Sequence, residues 1–149
     1  MRIAIGSDHA GFYLKKYIMD NVKALGYEVI DIGVYTDEKV DFPDYAEKVA
    51  LAVKNGDAER GILLCGSGVG VSITANKFKG IYAAVCHDCY SAHQGVEHDG
   101  MNVLCLGGRV IGPEPAMEIA KSFLNARFIK EERFMRRLNK IKAIEDKGI

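Results

Sequence analysis

The chain has 149 residues, 48% of them hydrophobic and 27% charged, and its twenty Lys and Arg are matched by twenty Asp and Glu. That length predicts one domain, residues 1–149, burying roughly 68–70% of its unfolded surface. Zero formal charge argues against a general nucleic-acid or membrane-surface binder, which needs a basic excess, and no apolar run is long enough to span a bilayer.

The first strand reads Ile3-Ala4-Ile5, without the longer apolar region of a secretory leader. With four cysteines besides, the expected compartment is reducing and the default is cytoplasm. Leu14, Ile18, Val22 and Leu25 then recur at four- and three-residue steps, one face of a helix that Gly26 ends. Tyr27 to Ile32 is the second strand, closed by Gly33. A polar loop from Tyr35 to Phe42 leads to Pro43, well suited to open a helix whose inward face is Ala46, Val49, Ala50 and Val53. Asn55-Gly56 stops it.

Gly61 to Cys65 is a third strand, apolar on both faces as inside a parallel sheet. A glycine-rich turn and a helix through about Lys77 follow. Ile81 to Cys86 and Asn102 to Leu106 are strands four and five, with a helix near Tyr90 to Glu97 between them. Pro113 opens a helix with Ala116, Ile119, Ala120 and Phe123 inward, and Lys130 to Ile144 is a long amphipathic C-terminal helix. Strands alternating with helices predict an α/β fold, a Rossmann-like three-layer sandwich around a five-stranded parallel sheet.

Such sheets bind ligands at the carboxyl ends of their strands, which directs attention to the turns. Cys65-Gly66-Ser67-Gly68-Val69-Gly70 is the most informative of them. Alternating glycines let the backbone approach a ligand and aim several N–H groups into one concavity, and the helix start adds positive potential. The same field should lower the Cys65 pKa and favour its thiolate. A base beside an anion-stabilising nest suits enediolate chemistry: one group removes a carbon-bound proton while N–H groups hold the oxyanion. Ser67 can hydrogen-bond either the sulfur or the substrate. Taken alone, a cysteine ending an apolar strand is more often a small buried hydrophobe.

Competing readings fit less well. Gly66-x-Gly68-x-Gly70 has the wrong last interval for a dinucleotide fingerprint, although Asp88 stands about where a ribose-binding acid would fall. A phosphatase loop would ordinarily close with arginine, and here Val71-Ser72-Ile73 follows. Cys86-His87-Asp88-Cys89 is formally a C-x-x-C, but no second pair and no H-E-x-x-H accompany it, so no metal is assigned. His9 and His98, each beside an aspartate (Asp8 and Asp99), are expected in turns on the Cys65 face, placed to move a proton on a sugar hydroxyl or ring oxygen. Arg133, Arg137 and Lys140 form one stripe of the last helix, beside an apolar stripe of Phe134, Leu138 and Ile141. Arginine forks bind phosphate well, and the apolar stripe suits exchange between subunits.

These residues converge on a family. Gly6-Ser7-Asp8-His9-Ala10-Gly11-Phe12, Asp44-Tyr45-Ala46, the Cys65–Gly70 turn, Ala75-Asn76-Lys77, Tyr90-Ser91-Ala92, Asn102-Val103-Leu104 and Gly108-Arg109 resemble ribose-5-phosphate isomerases of type B, and the related galactose-6-phosphate isomerase subunits, from about Ile3 to Glu145. The resemblance implies interconversion of D-ribose 5-phosphate and D-ribulose 5-phosphate, a step of the pentose phosphate pathway, without metal or organic cofactor. It implies that Cys65 shuttles the proton between C1 and C2, that Gly66, Ser67, Gly68, Val69 and Gly70 form the anion hole, and that His98 assists ring opening. Asp8 and Tyr45 would hold sugar hydroxyls or the ring. His9, Arg109, Arg133 and Arg137 would hold phosphate or orient the sugar, some across the interface of a homodimer or tetramer. Asp99 stands where asparagine is common and Ser67 where threonine is frequent. An allose or galactose 6-phosphate substrate, or a non-catalytic binder of sugar phosphates or nucleotides, are the alternatives.

Overall fold

The computed structural model describes residues 1–148; Ile149, the last residue of the expected domain, lies outside them. Five strands, β1 (Arg2–Ser7), β2 (Glu28–Gly33), β3 (Arg60–Cys65), β4 (Ala83–Val85) and β5 (Val103–Gly107), form one parallel sheet in the order β2-β1-β3-β5-β4. The helices are α1 (Phe12–Ala24), α2 (Phe42–Lys54), α3 (Val69–Ala75), α4 (Cys89–Asp99), α5 (Pro113–Asn125) and α6 (Glu132–Asp146). The fold is the α/β three-layer arrangement that the alternation of strands and helices predicts.

Alternate residues of the central strands feed two cores, because strand side chains point to opposite faces in turn. Ile3, Ile5, Ile62, Leu64, Leu104 and Leu106 pack with α1, α4 and α5 on one side of the sheet. Ala4, Leu63, Cys65, Val103 and Cys105 pack with α2 and α3 on the other. The run Arg60 to Cys65 is buried throughout, as the uninterrupted apolar sequence from Gly61 onward requires. Arg60 is tolerated there because its guanidinium donates to the carbonyls of Phe123 and Ala126 at the end of α5.

Two elements differ from expectation. Strand four is only Ala83–Val85, shorter than Ile81 to Cys86, because Tyr82 pairs with the Asn102 side chain, whose Oδ1 accepts from the Tyr82 N–H at 2.9 Å, before the ladder begins. A short 3-10 turn, His9–Gly11, precedes α1; the Asp8 carboxylate accepts from the Ala10 and Gly11 N–H groups at 2.9 and 3.1 Å and so starts it.

The loop between β2 and α2 is held from beneath. Lys15, 3% exposed, donates to the Asp31 carboxylate at 2.7 Å and to the Val34 carbonyl at 2.8 Å, with its ammonium also over the Phe12 and Tyr35 rings.

The C-terminal helix α6, 15 residues long, leans on the end of α4 and returns to the β4 edge. There Glu145 accepts from the Gly80 N–H at 2.8 Å and the Tyr82 hydroxyl at 3.1 Å. Burial, then Glu145, pushes the Tyr82 phenol from 10.0 up to about 12. The fold therefore favours the neutral phenol, so this contribution is complete below pH 10 and disappears as pH rises through about 12. The thermal midpoint of the protein should exceed that of Tyr82→Phe below pH 10 and lose that advantage as pH climbs towards 12; a constant difference would detach the hydroxyl from the docking of α6.

Candidate active site

The sheet order reverses between β1 and β3, and the loops leaving those two strands part there, as crevice-forming switch points do. A cavity of about 410 Å³ lies at that place, lined by Asp8, Phe42, Cys65, Gly66, Ser67, Gly70, Arg109 and Val110.

Its floor is built by backbone geometry. Gly68 takes φ +84°, a left-handed conformation that glycine adopts without penalty, and this turns its N–H onto the Cys65 sulfur at 3.0 Å. Ser67 Oγ accepts from the Val69 N–H at 3.2 Å. The following loop straps the turn in place: Gly108 N–H donates to the Cys65 carbonyl at 2.7 Å and Arg109 N–H to that of Gly66 at 3.0 Å. Gly107 makes this seating possible, since a Cβ there would lie 2.7 Å from the Ser67 carbonyl carbon.

The walls come from other elements. Asp8 is 7% exposed and faces the cavity while capping the 3-10 turn. Arg109, at the mouth, lays its side chain along Gly66. Phe42, the first residue of α2, crosses over Gly70, where a Cβ would meet its ring at 2.7 Å. His9 Nδ1 accepts from the Val40 N–H at 3.2 Å and so pins the loop beside the mouth.

The cysteines divide by environment, and all four are free. Burial, then Asp88, pushes the Cys86 thiol up to about 11. Burial, then the neighbouring Cys65, raises that of Cys105 further. Cys65 is the cysteine at the cavity, with an amide hydrogen aimed at its sulfur. Cys86 packs in the core while Cys89 is exposed, and among the described residues no group of three or more His, Cys, Asp or Glu is arranged to hold a metal ion. Asp88 caps α4 through the Ser91 N–H at 2.6 Å, and that bond holds its carboxyl below the usual range.

Sequence reasoning misplaced His98. It lies in the last turn of α4, at the amino end of β5, whereas Cys65 pairs with Gly107 at the carboxyl end. Residues that feed a parallel strand sit at the opposite sheet edge from those that leave it, so about 13 Å of strand separates His98 from the Cys65 of its own chain. Asp99 and Arg133 accompany His98, and Arg137 lies one turn further along α6. The His98 ring stacks on Phe134 of α6, centroids 4.1 Å apart and planes 10° apart, and the Arg133 guanidinium lies 4.5 Å over that same phenylalanine. Tyr45 is also outside the cavity lining: it packs towards Gly33, under Lys48. Phe42, one helical turn earlier, takes the wall position. The signal for Phe42 was its place immediately before Pro43, at the end of α2 that meets the strand termini.

A parallel α/β sheet with a cysteine, a serine and a glycine nest at its switch point has the equipment of an enzyme acting on a small anionic substrate. The Ribose/Galactose Isomerase family matches residues 3–141, and the chain belongs to that family. Among its relatives, ribose-5-phosphate isomerase B of Escherichia coli (strain K12) is 47% identical over 146 residues, 98% of this chain and 97% of that protein. D-erythrulose-4-phosphate isomerase of Pectobacterium atrosepticum is 46% identical over 129 residues, 86% of this chain and 85% of that one. The solved structure of Clostridium thermocellum ribose-5-phosphate isomerase B superposes with a TM-score of 0.96 at 49% identity, covering 100% of both chains.

The Gly107–Ser67 contact gives a direct test of the site's construction. Gly107→Ala should cost about 1–3 kcal/mol of stability through overpacking and displace the Cys65 turn, read as a lower thermal midpoint with loss of substrate protection of Cys65 against alkylation. Unchanged protection would show that the seam does not position the sulfur.

Proposed function

We propose that the protein is an aldose–ketose isomerase that interconverts D-ribose 5-phosphate and D-ribulose 5-phosphate, with Cys65 as the base. The observation that carries this reading is the Cys65 sulfur at the cavity, 3.0 Å from the Gly68 N–H and next to the other amides of the turn. With the sugar open, the thiolate takes the C2 proton; the C–H electrons form a C1–C2 double bond and the aldehyde oxygen becomes an enediolate oxyanion. The amides of Gly66 to Gly70 hold that charge, the Ser67 hydroxyl serves proton movement between the two oxygens, and the thiol returns its proton to C1. No net proton or electron is gained or lost, although the thiol proton exchanges in part with solvent before it returns to C1, so the reading calls for no cofactor. A thiolate base also suits a reducing compartment, and we place the reaction in the cytoplasm.

The lining of the cavity supplies Arg109 for phosphate or sugar but no histidine. The reading completes the site with a second copy: His98, Asp99, Arg133 and Arg137 of one protomer meet the cavity of its partner in a two-fold homodimer. Exposed apolar side chains beside the cavity, Val69, Ile73 and Val110, support such an interface, as do Ile141 and Ile144 on α6. The relative that acts on D-erythrulose 4-phosphate makes a shorter substrate the second reading. Turnover of pentose, tetrose and hexose phosphates side by side decides between them, with ribose 5-phosphate expected to give the highest kcat/KM.

Two further outcomes follow. Cys65→Ala should lower ribose 5-phosphate turnover by about a thousandfold or more, with fold and assembly intact, and abolish solvent-deuterium incorporation into ribulose 5-phosphate. Retained exchange would remove Cys65 from the chemistry. Mixing equal amounts of Cys65→Ala and His98→Asn subunits should recover about a quarter of wild-type activity, because half the dimers are mixed and each holds one complete site. No recovery would show that the two residues serve the same protomer's site.

A further inference from the structure

We infer that Gln94, oriented by Asp99, is a positioning residue that fixes the His98 imidazole in its Nε2–H form, so that the nitrogen left facing outward is a proton donor. The inference rests on the proposed isomerase reading for its consequence in turnover, but the tautomer itself is independent of that reading.

Gln94 and His98 lie one turn apart on α4, and the Gln94 amide nitrogen is 3.0 Å from His98 Nδ1. Which end of an amide faces an imidazole is decided by its other partners. The same nitrogen is 3.4 Å from the Asp99 carboxylate, a group that only accepts when ionised. With its oxygen turned there, the amide would face a like-charged oxygen; with its nitrogen there, it donates. The nitrogen that serves Asp99 therefore also serves Nδ1, and Nδ1 must accept. In neutral imidazole the proton is then on Nε2. Phe134, 3% exposed and stacked on the ring, fixes the plane in which that Nε2–H points. A donor in this place can protonate the ring oxygen of a furanose as it opens, whereas the other tautomer would present a lone pair to it. Asp99 thus acts on the imidazole through Gln94.

Nitrogen-15 spectra of the histidine side chains, recorded where His98 is neutral, test this directly. Wild-type protein should show a protonated Nε2 and a bare Nδ1 at His98; the opposite pattern overturns the inference and leaves the Cys65 chemistry untouched. Gln94→Glu puts an acceptor in place of the donor and should move the proton to Nδ1. Ribose 5-phosphate turnover should then fall by roughly a hundredfold in kcat, the scale of one positioned proton-transfer group. Deuterium incorporation into ribulose 5-phosphate, an open-chain sugar, should persist, because the thiolate step needs no ring opening. Gln94→Leu, which offers no acceptor, should keep the Nε2–H form that free imidazole already prefers and lose no more than a few-fold in turnover. Equal losses in both variants, or loss of deuterium incorporation along with turnover, would make Gln94 a packing residue only.

Discussion

The seam between β3 and β5 governs everything at the cavity. Two parallel strands deliver their carboxyl ends side by side, Cys65 against Gly107, and the two loops that leave them are locked together by the Gly108 and Arg109 amides. The turn after β3 can settle over the end of β5 because position 107 has no side chain. On that contact sit the left-handed Gly68, the amide pointing at sulfur, and the concavity between them. Asp8, Phe42 and Arg109 close the walls, each held by a separate element. Under the proposed chemistry, a nest of backbone amides would have the advantage over long side chains of needing little reorganisation as charge develops.

Direction of the strands has the second large effect. All five run the same way, so chemistry gathered at strand ends and chemistry gathered before strand starts lie on opposite rims of the sheet. The chain carries the sulfur on one rim and the imidazole, stacked on Phe134 under Arg133, on the other. Relatives of this chain are named for phosphorylated sugars of different length, D-erythrulose 4-phosphate and ribose 5-phosphate.

Much of the architecture was legible because the central strands are short apolar runs and the helices between them repeat at three and four. Gly61 to Cys65 reads as a buried strand from its residues alone, and the glycines after it mark the turn. Five features were not legible, for separate reasons. The order β2-β1-β3-β5-β4 depends on which edge each crossover chooses, and periodicity is silent on that. The brevity of β4 depends on an asparagine side chain twenty residues further on taking over a backbone bond. His98 was put on the wrong rim because its sequence neighbourhood looks like a turn, although it closes a helix that runs back to the strand starts. Phe42 and Tyr45 both sit near the start of α2, and only the crowding over Gly70 selects the former. The role of Gln94 has no motif at all; it exists only as a set of distances around one amide.

Lys15 adds a contrast of another kind. Its ammonium is sealed beneath the loop that carries the partner of His9, bound to a carboxylate and a carbonyl and roofed by two aromatic rings. Dissolved ions screen exposed pairs but scarcely reach a buried one. The arginines that would greet a phosphate are on the surface. Raising ionic strength would therefore loosen any attraction those arginines exert while the shape of the entrance persists, so that salt separates pull from form.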